Sequence, residues 1–256
     1  MRNRLDMRSA GGVRDEAVPR LLGQSPEMAA VRALVEVAAA GGGAVLVHGE
    51  TGTGKGLVAR HIHALSRGRA APFITVMCQA LPREPTNFPA LFWAARGGSL
   101  LVDEVADMPL DDQDLFLGAM RASAASLRGP EPARCLVTTH ADLDALVRQG
   151  KFRAELHAAL AVVRLELPPL RDRLADLPEL VEAFLERFET GGIVAQGRRP
   201  TMTPRALEEL EAHRWPGNVL ELENVLQRVV VAASGESIEG EAVRAAISSG
   251  AASRGA

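Results

Sequence analysis

Apolar positions along the chain follow two rhythms. Short, almost wholly apolar runs at 44–48, 73–77, 99–103, 134–139 and 162–167 alternate with stretches in which apolar residues recur every three or four positions. Runs that are apolar on both faces predict strands buried in a parallel sheet, and the periodic stretches predict the helices that cross between them. Helices are expected at 26–40, 56–66, 90–95, 111–121, 142–148 and 152–160. The first has Ser25 as its N-cap, Pro26 in its first turn and apolar residues at 28, 31, 34, 35 and 38, a helical stripe. Prolines at 82, 85 and 89 make the segment after the second strand a loop. After Pro168-Pro169 the pattern turns purely helical, with helices at 176–189, 203–213 and 218–233, a weaker one at 241–248, and a loop at 191–200. The expected fold class is α/β. A core at 21–172, with a parallel five-stranded sheet flanked by helices, precedes a small α-helical lid at 173–250. Residues 1–20 lack apolar periodicity and are expected to be a mobile leader.

Composition narrows the class. With 47% hydrophobic residues and a net charge of −3 in 256 residues, the chain reads as an ordinary soluble globular protein with no strong pull toward nucleic acid. Cys78 and Cys135 lie in apolar runs and read as buried, reduced thiols. No run reaches membrane-spanning length and no secretory signal is visible, so a cytoplasmic location is expected, with no membrane partner. No repeat is seen. The expectation is also that no DNA-binding motif follows the last lid helix.

The chemistry gathers after the first strand. Gly49, Glu50, Thr51, Gly52, Thr53, Gly54 and Lys55 spell G-x-x-x-x-G-K, and Gly56 opens a helix. In such a P-loop the glycines let backbone N–H groups turn onto a phosphate, the lysine adds a point charge, and the helix N-terminus faces the same anion. Gly56 stands where Ser or Thr often supplies a hydroxyl to magnesium. Lys55 is one of only two lysines, with Lys151, in an arginine-rich chain. The third strand ends in Asp103-Glu104. Asp103 is the expected Mg2+ ligand, and Glu104 the group that orients and activates an attacking water in ATP hydrolysis. His61 and His63 point to different faces of one helix and do not suggest a metal pair. His140, after the fourth strand, either donates to a phosphate or hydrogen-bonds a neighbour. Trp215 is expected to pack the lid, and Arg198-Arg199-Pro200 to be a solvated loop.

Six motifs in order, Leu22-Gly23-Gln-Ser-Pro, GETGTGKG at 49–56, LLVDEVADMP at 100–109, KFRAEL at 151–156, LPPLRDR at 167–173 and WPGNVLELENVL at 215–226, resemble the central AAA+ domain of bacterial enhancer-binding proteins. These activators remodel sigma-54 RNA polymerase. The resemblance spans residues 21–240. It implies a P-loop AAA+ fold, ATP bound between core and lid, and self-association into a ring such as a hexamer. It also implies an arginine finger at Arg153, a sensor threonine at Thr139 beside the nucleotide, a basic turn at Arg171 and Arg173, and RNA polymerase or another transcription regulator as partner. The family's P-loop usually has Glu at the place of Gly56, so the missing hydroxyl is itself a family trait.

The departures cluster around the γ-phosphate. The GAFTGA loop that grips sigma-54 has no counterpart between 78 and 98. Ala159 stands at a second finger position, Met77 where an asparagine restrains the catalytic glutamate, His140 at the sensor asparagine, and Leu220 at the lid arginine. An arginine finger contributes on the order of 10³–10⁵ in rate, whereas phosphate capture by backbone N–H groups and Lys55 survives such losses. The expected function is an ATP-binding AAA+ module of a transcription regulator, with weakened hydrolysis and without the usual sigma-54 contact. The alternative is a non-catalytic, nucleotide-gated module that modulates a partner AAA+ ring. A DNA-gripping loader fits poorly with the net charge and the lack of a basic stripe.

Overall fold

Alternation along the buried strands sets up two cores, one on each face of a single sheet. The structure, a computed structural model, describes residues 20–81, 85–125, 131–194, 199–232 and 237–252. The leader expected at 1–20 falls outside these except for Arg20, as do Pro82 and Arg198. The core elements are α1 (Pro26–Ala40), β1 (Val45–His48), α2 (Lys55–Leu65), β2 (Phe73–Met77), α3 (Phe88–Ala94), β3 (Ser99–Asp103), α4 (Leu110–Ala124), β4 (Arg134–Thr139), α5 (Leu143–Arg148), α6 (Ala154–Leu160) and β5 (Val163–Glu166). The five strands pair in the order β2-β3-β4-β1-β5, every pairing parallel.

Successive side chains of a strand face opposite ways. Leu46, Leu100, Val102, Cys135 and Val137 pack against α3, α4 and α6, where Phe116 meets the Phe88 and Phe92 rings at 5.2 and 5.7 Å. Val45, Val47, Leu101, Leu136 and Leu165 pack on the other face against Met28, Val31 and Val35 of α1 and Val58 and Ile62 of α2. Both faces of the sheet are therefore dry, which is why the strands read as continuous apolar runs. The predicted cap of α1 is present: the Ser25 hydroxyl accepts the Met28 N–H at 3.3 Å, with Pro26 in the first turn. At the other end of α1, the Arg134 guanidinium reaches the carbonyls of Ala38, Ala39 and Gly43, cationic partners for a helix C-terminus.

Beyond β5 come α7 (Leu177–Thr190), β6 (Thr201–Met202), α8 (Pro204–Ala212), α9 (Asn218–Ala232), β7 (Ser237–Ile238) and α10 (Gly240–Ala252). These surround a third apolar cluster, in which the Trp215 ring is fully buried with its indole N–H on the Leu210 carbonyl at 2.8 Å. Trp215 thus packs the lid as its sequence context predicts. The expectation of a purely helical lid is corrected: β6 and β7 form a two-residue parallel pair, too short for a periodic signal. Several boundaries also move. Asn87 and Asp142 serve as N-caps, so α3 begins before 90 and α5 after 142. Arg153 caps α6, while exposed Val162 lies outside β5. Among the described residues, no helix is long and apolar enough to cross a membrane.

Candidate functional site

The parallel register brings the carboxyl ends of four strands to one edge, pairing Met77 with Asp103 and His48 with Thr139. The loop at 49–54 leaves that edge directly and runs into α2. Gly49, Gly52 and Gly54 have φ of +157°, +81° and +103°, so the tight path uses conformations that L side chains rarely adopt. The N-cap of α2 is Gly54, with no side-chain hydrogen bond to the helix end. A Cβ added at Gly54 or Gly56 would meet no atom within 4 Å. An open, uncapped helix N-terminus ringed by glycine is the arrangement that receives an anion.

Lys55 is nearly buried. Its Nζ lies 2.9 Å from the Gly49 carbonyl, 3.3 Å from that of Glu50 and 2.8 Å from Glu104 Oε1. The other Glu104 oxygen accepts from the His140 backbone N–H at 3.0 Å and sits 2.6 Å from His140 Nδ1. The backbone of Glu104 is left-handed, at φ 54° and ψ 59°, which turns its carboxylate from the strand toward Lys55. Thr138 fixes that turn: its hydroxyl accepts the Glu104 N–H at 3.0 Å and donates to Asp103 Oδ1. Burial pushes the Glu104 carboxyl up, but the hydrogen bonds from Lys55 and His140 and the Lys55 charge outweigh it, leaving it below the usual carboxylate range. Of the two roles open to His140 in the sequence, the structure shows a bond to a neighbour.

Thr139 is buried. Its hydroxyl accepts the Ala141 N–H at 3.1 Å and its carbonyl accepts the Gly49 N–H at 3.2 Å, so it shapes the start of the loop. Arg153 stands apart from the Lys55–Glu104 pair. Its side chain pairs with Asp114 at 2.9 Å and is half exposed, while buried Gln113 accepts its backbone N–H at 2.8 Å. Ala159 is partly buried against the core, and Met77 is exposed at the end of β2. Both cysteine thiols are free, buried and pushed up to about 12, Cys78 by burial and the nearby acids and Cys135 by burial alone. Neither is a nucleophile at neutral pH. Among the described residues no group of three or more His, Cys, Asp or Glu side chains forms a metal cage. Asp103 offers one strand-end carboxylate, a donor set that fits Mg2+, which keeps most of its shell as water and phosphate oxygens.

The loop's outer side meets groups whose roles the sequence left unread. Arg171 forks onto Glu50 at 2.6 and 2.9 Å, and Asn218 Nδ2 joins the same carboxylate at 3.1 Å. Those bonds hold the Glu50 carboxyl down at about 2, the Arg171 hydrogen bond first and that of Asn218 next. Asn218 was visible only as part of the Trp-Pro-Gly-Asn turn. Its left-handed φ of 53° and its position against the loop depend on tertiary packing.

The chain matches two families in tandem: the family described as sigma-54 interaction domain over residues 22–170, and that described as AAA+ ATPase lid domain over 171–256. It is 38% identical to the response regulator protein PilR of Pseudomonas aeruginosa, covering 93% of this chain and 58% of PilR. It is 36% identical to the DNA-binding transcriptional regulator NtrC of Azospirillum brasilense, over 91% of this chain and 52% of NtrC. The chain thus spans little more than half the length of these relatives. Among solved structures, NtrX of Brucella abortus in complex with ATP superposes with a TM-score of 0.77 at 30% identity, covering 89% of this chain and 57% of that one. The same protein in complex with ADP gives 0.76 at 29%, over 87% and 55%. Thermotoga maritima RuvB shares the fold, with a TM-score of 0.64 at 17% identity over 93% and 73%.

Proposed function

Because the chain belongs to the sigma-54 interaction domain family, with that AAA+ lid behind it, we propose that it is the ATP-binding module of a bacterial transcription regulator, slow to hydrolyse what it binds. Binding rests on the open N-terminus of α2, the glycine path into it and the buried Lys55. The NtrX complexes with ATP and ADP support the choice of ligand. Asp103 would hold Mg2+, which when bound would supply positive charge to offset that of the phosphates.

The observation that carries slow turnover is the state of Glu104, whose two oxygens are both engaged, one by Lys55 and the other twice by His140. A general base works best when its proton affinity is matched to the operating pH. Phosphate draws Lys55 off Oε1, but the two His140 bonds to Oε2 persist and keep the carboxylate a weak base. Transition-state charge is also poorly met. Arg153 serves a neighbouring subunit in a ring, Ala159 supplies no second cation, and half-exposed Leu220 supplies none from the lid.

The partner is RNA polymerase or another regulator, met without the family's sigma-54-gripping loop. Among the described residues, the path from β2 to β3 holds a short turn at Cys78–Ala80 and α3. A second reading, a nucleotide-gated module that modulates a partner ring without hydrolysis, draws on the same engaged Glu104. Two measurements test the proposal. ATP and ADP titrations of wild type and Lys55→Ala are expected to show binding that the substitution removes, and no binding at millimolar ATP contradicts both readings. In an open-complex assay with sigma-54 polymerase no activation is expected, and robust open-complex formation contradicts the altered contact.

A further inference from the structure

Four consecutive residues of the P-loop each give an acceptor to a donor outside the loop. The Glu50 carboxylate takes Arg171 and Asn218, the Thr51 carbonyl takes Asn218 Nδ2 at 2.9 Å, the Gly52 carbonyl takes the Leu220 N–H at 3.2 Å, and the Thr53 carbonyl takes Arg173 Nη2 at 3.2 Å. All these donors come from the turn after β5 or the start of α9. A planar trans peptide points its C=O and N–H in opposite directions. Carbonyls 51 and 53, drawn toward the lid, therefore turn the N–H groups of Gly52 and Gly54 the other way. The N–H between them, on Thr53, closes a turn on the Glu50 carbonyl at 3.3 Å.

The lid turn sits hard against the loop. A Cβ on Gly52 would lie 2.3 Å from the Gly217 carbonyl. Asn218 is the hub. It is fully buried, its Oδ1 accepts the Leu170 N–H at 2.8 Å, and its Nδ2 serves both Glu50 and Thr51. Arg171 and Glu50 are both more than two-fifths exposed, and exposed ion pairs contribute little. Removing the Asn218 amide is different: it strands the Leu170 N–H in a buried place, where an unmet polar group costs most, and takes the donor from the part-buried Thr51 carbonyl.

We propose that Asn218 is a positioning residue, and that the lid turn 217–220 sets the peptide planes of the P-loop and through them its affinity for polyphosphate. This rests on the nucleotide reading above. The lid thus acts on phosphate through the loop's backbone. Because coupling is reciprocal, phosphate on the inner side of the loop tightens the lid on the outer side.

The test separates backbone from amide. Asn218 has φ 53°, where glycine is at ease, so Asn218→Gly keeps the backbone path and deletes the amide. Leu220→Pro deletes the N–H that reaches Gly52, in the first turn of α9 where no intrahelical bond needs it, together with a half-exposed side chain and some freedom at Val219. Calorimetric Kd values for ATP and for inorganic tripolyphosphate would be measured, with amide exchange of nucleotide-free protein over 49–56 and 215–222. Asn218→Gly is expected to weaken tripolyphosphate about tenfold or more and to speed exchange in both segments; Leu220→Pro is expected to do so about threefold. Unchanged affinity in Asn218→Gly, or in Leu220→Pro should the former not fold, overturns the proposal. If wild type binds neither probe, the nucleotide reading falls and exchange alone decides: faster exchange over 49–56 supports the clamp, and unchanged exchange there overturns it.

Discussion

Glu50 shows how one side chain can carry two demands. It lies in a loop built to attract anions, yet it is itself an anion. Arg171 and Asn218 meet its charge on the outer side, and the carboxyl is held at about 2. A depressed folded pKa gives stability that is present above the unfolded carboxylate range and lost as pH falls through the folded value. The clamp on Glu50 is therefore intact at neutral pH and weakens between about 4.5 and about 2. Arg171 and Glu50 are both exposed, so the effect is modest. Glu50→Gln is expected to be slightly less stable than wild type at pH 7, with the gap closing as the pH approaches 2, read from urea unfolding across that range. A constant gap would mean the Glu50 charge is not what Arg171 and Asn218 hold.

At the scale of elements, the junction between the start of α1 and the lid is the most exposed to a single change. The Ser25 hydroxyl both caps α1 and donates to Asp176 Oδ2 at 2.8 Å, and the Ser25 N–H donates to Asp176 Oδ1 at 2.7 Å. Ser25→Ala removes the cap and leaves a buried carboxylate short of a donor, an expected loss of about 1–3 kcal/mol, seen as a Tm lower by ~2–4 °C for each kcal/mol. Gly52→Ala sets a Cβ against the Gly217 carbonyl in a left-handed backbone. It is expected to cost about 1–3 kcal/mol and to loosen α9, read as faster amide exchange over 217–222.

Ser25 also marks what was legible from sequence at this scale. Its capping role follows from three consecutive letters, Ser-Pro-Glu, and the strands follow from runs that local patterning exposes. Both are properties of neighbours in the chain. The bond from Ser25 to Asp176 joins positions 151 residues apart, and no local pattern reports it. The same holds at the site. Lys55, Asp103 and Glu104 announce themselves by motif, because phosphate chemistry needs a lysine where a glycine loop enters a helix and acids where a strand ends. Asn218 does not, because in the sequence it is only the first residue of a predicted helix, and its left-handed backbone and its bonds to Glu50, Thr51 and Leu170 arise from tertiary packing. The pairing of Glu104 with His140 was likewise one of two open roles, and the β6–β7 pair is too short to leave a period.

For the whole molecule, the proposed reading is a core that keeps the groups for capturing a polyphosphate while those for stabilising its transfer are thinned or engaged. If the chain assembles so that Arg153 reaches a neighbouring subunit's site, turnover should rise with protein concentration. That dependence is the natural place to weigh binding against chemistry. The most direct test pairs ATP titration with phosphate release across protein concentration, in wild type and in the triple variant Met77→Asn, Ala159→Arg, Leu220→Arg. The account predicts saturable ATP binding by both proteins, slow release by wild type, and faster, concentration-dependent release by the triple variant. Rapid release by wild type that the three substitutions leave unchanged would contradict it.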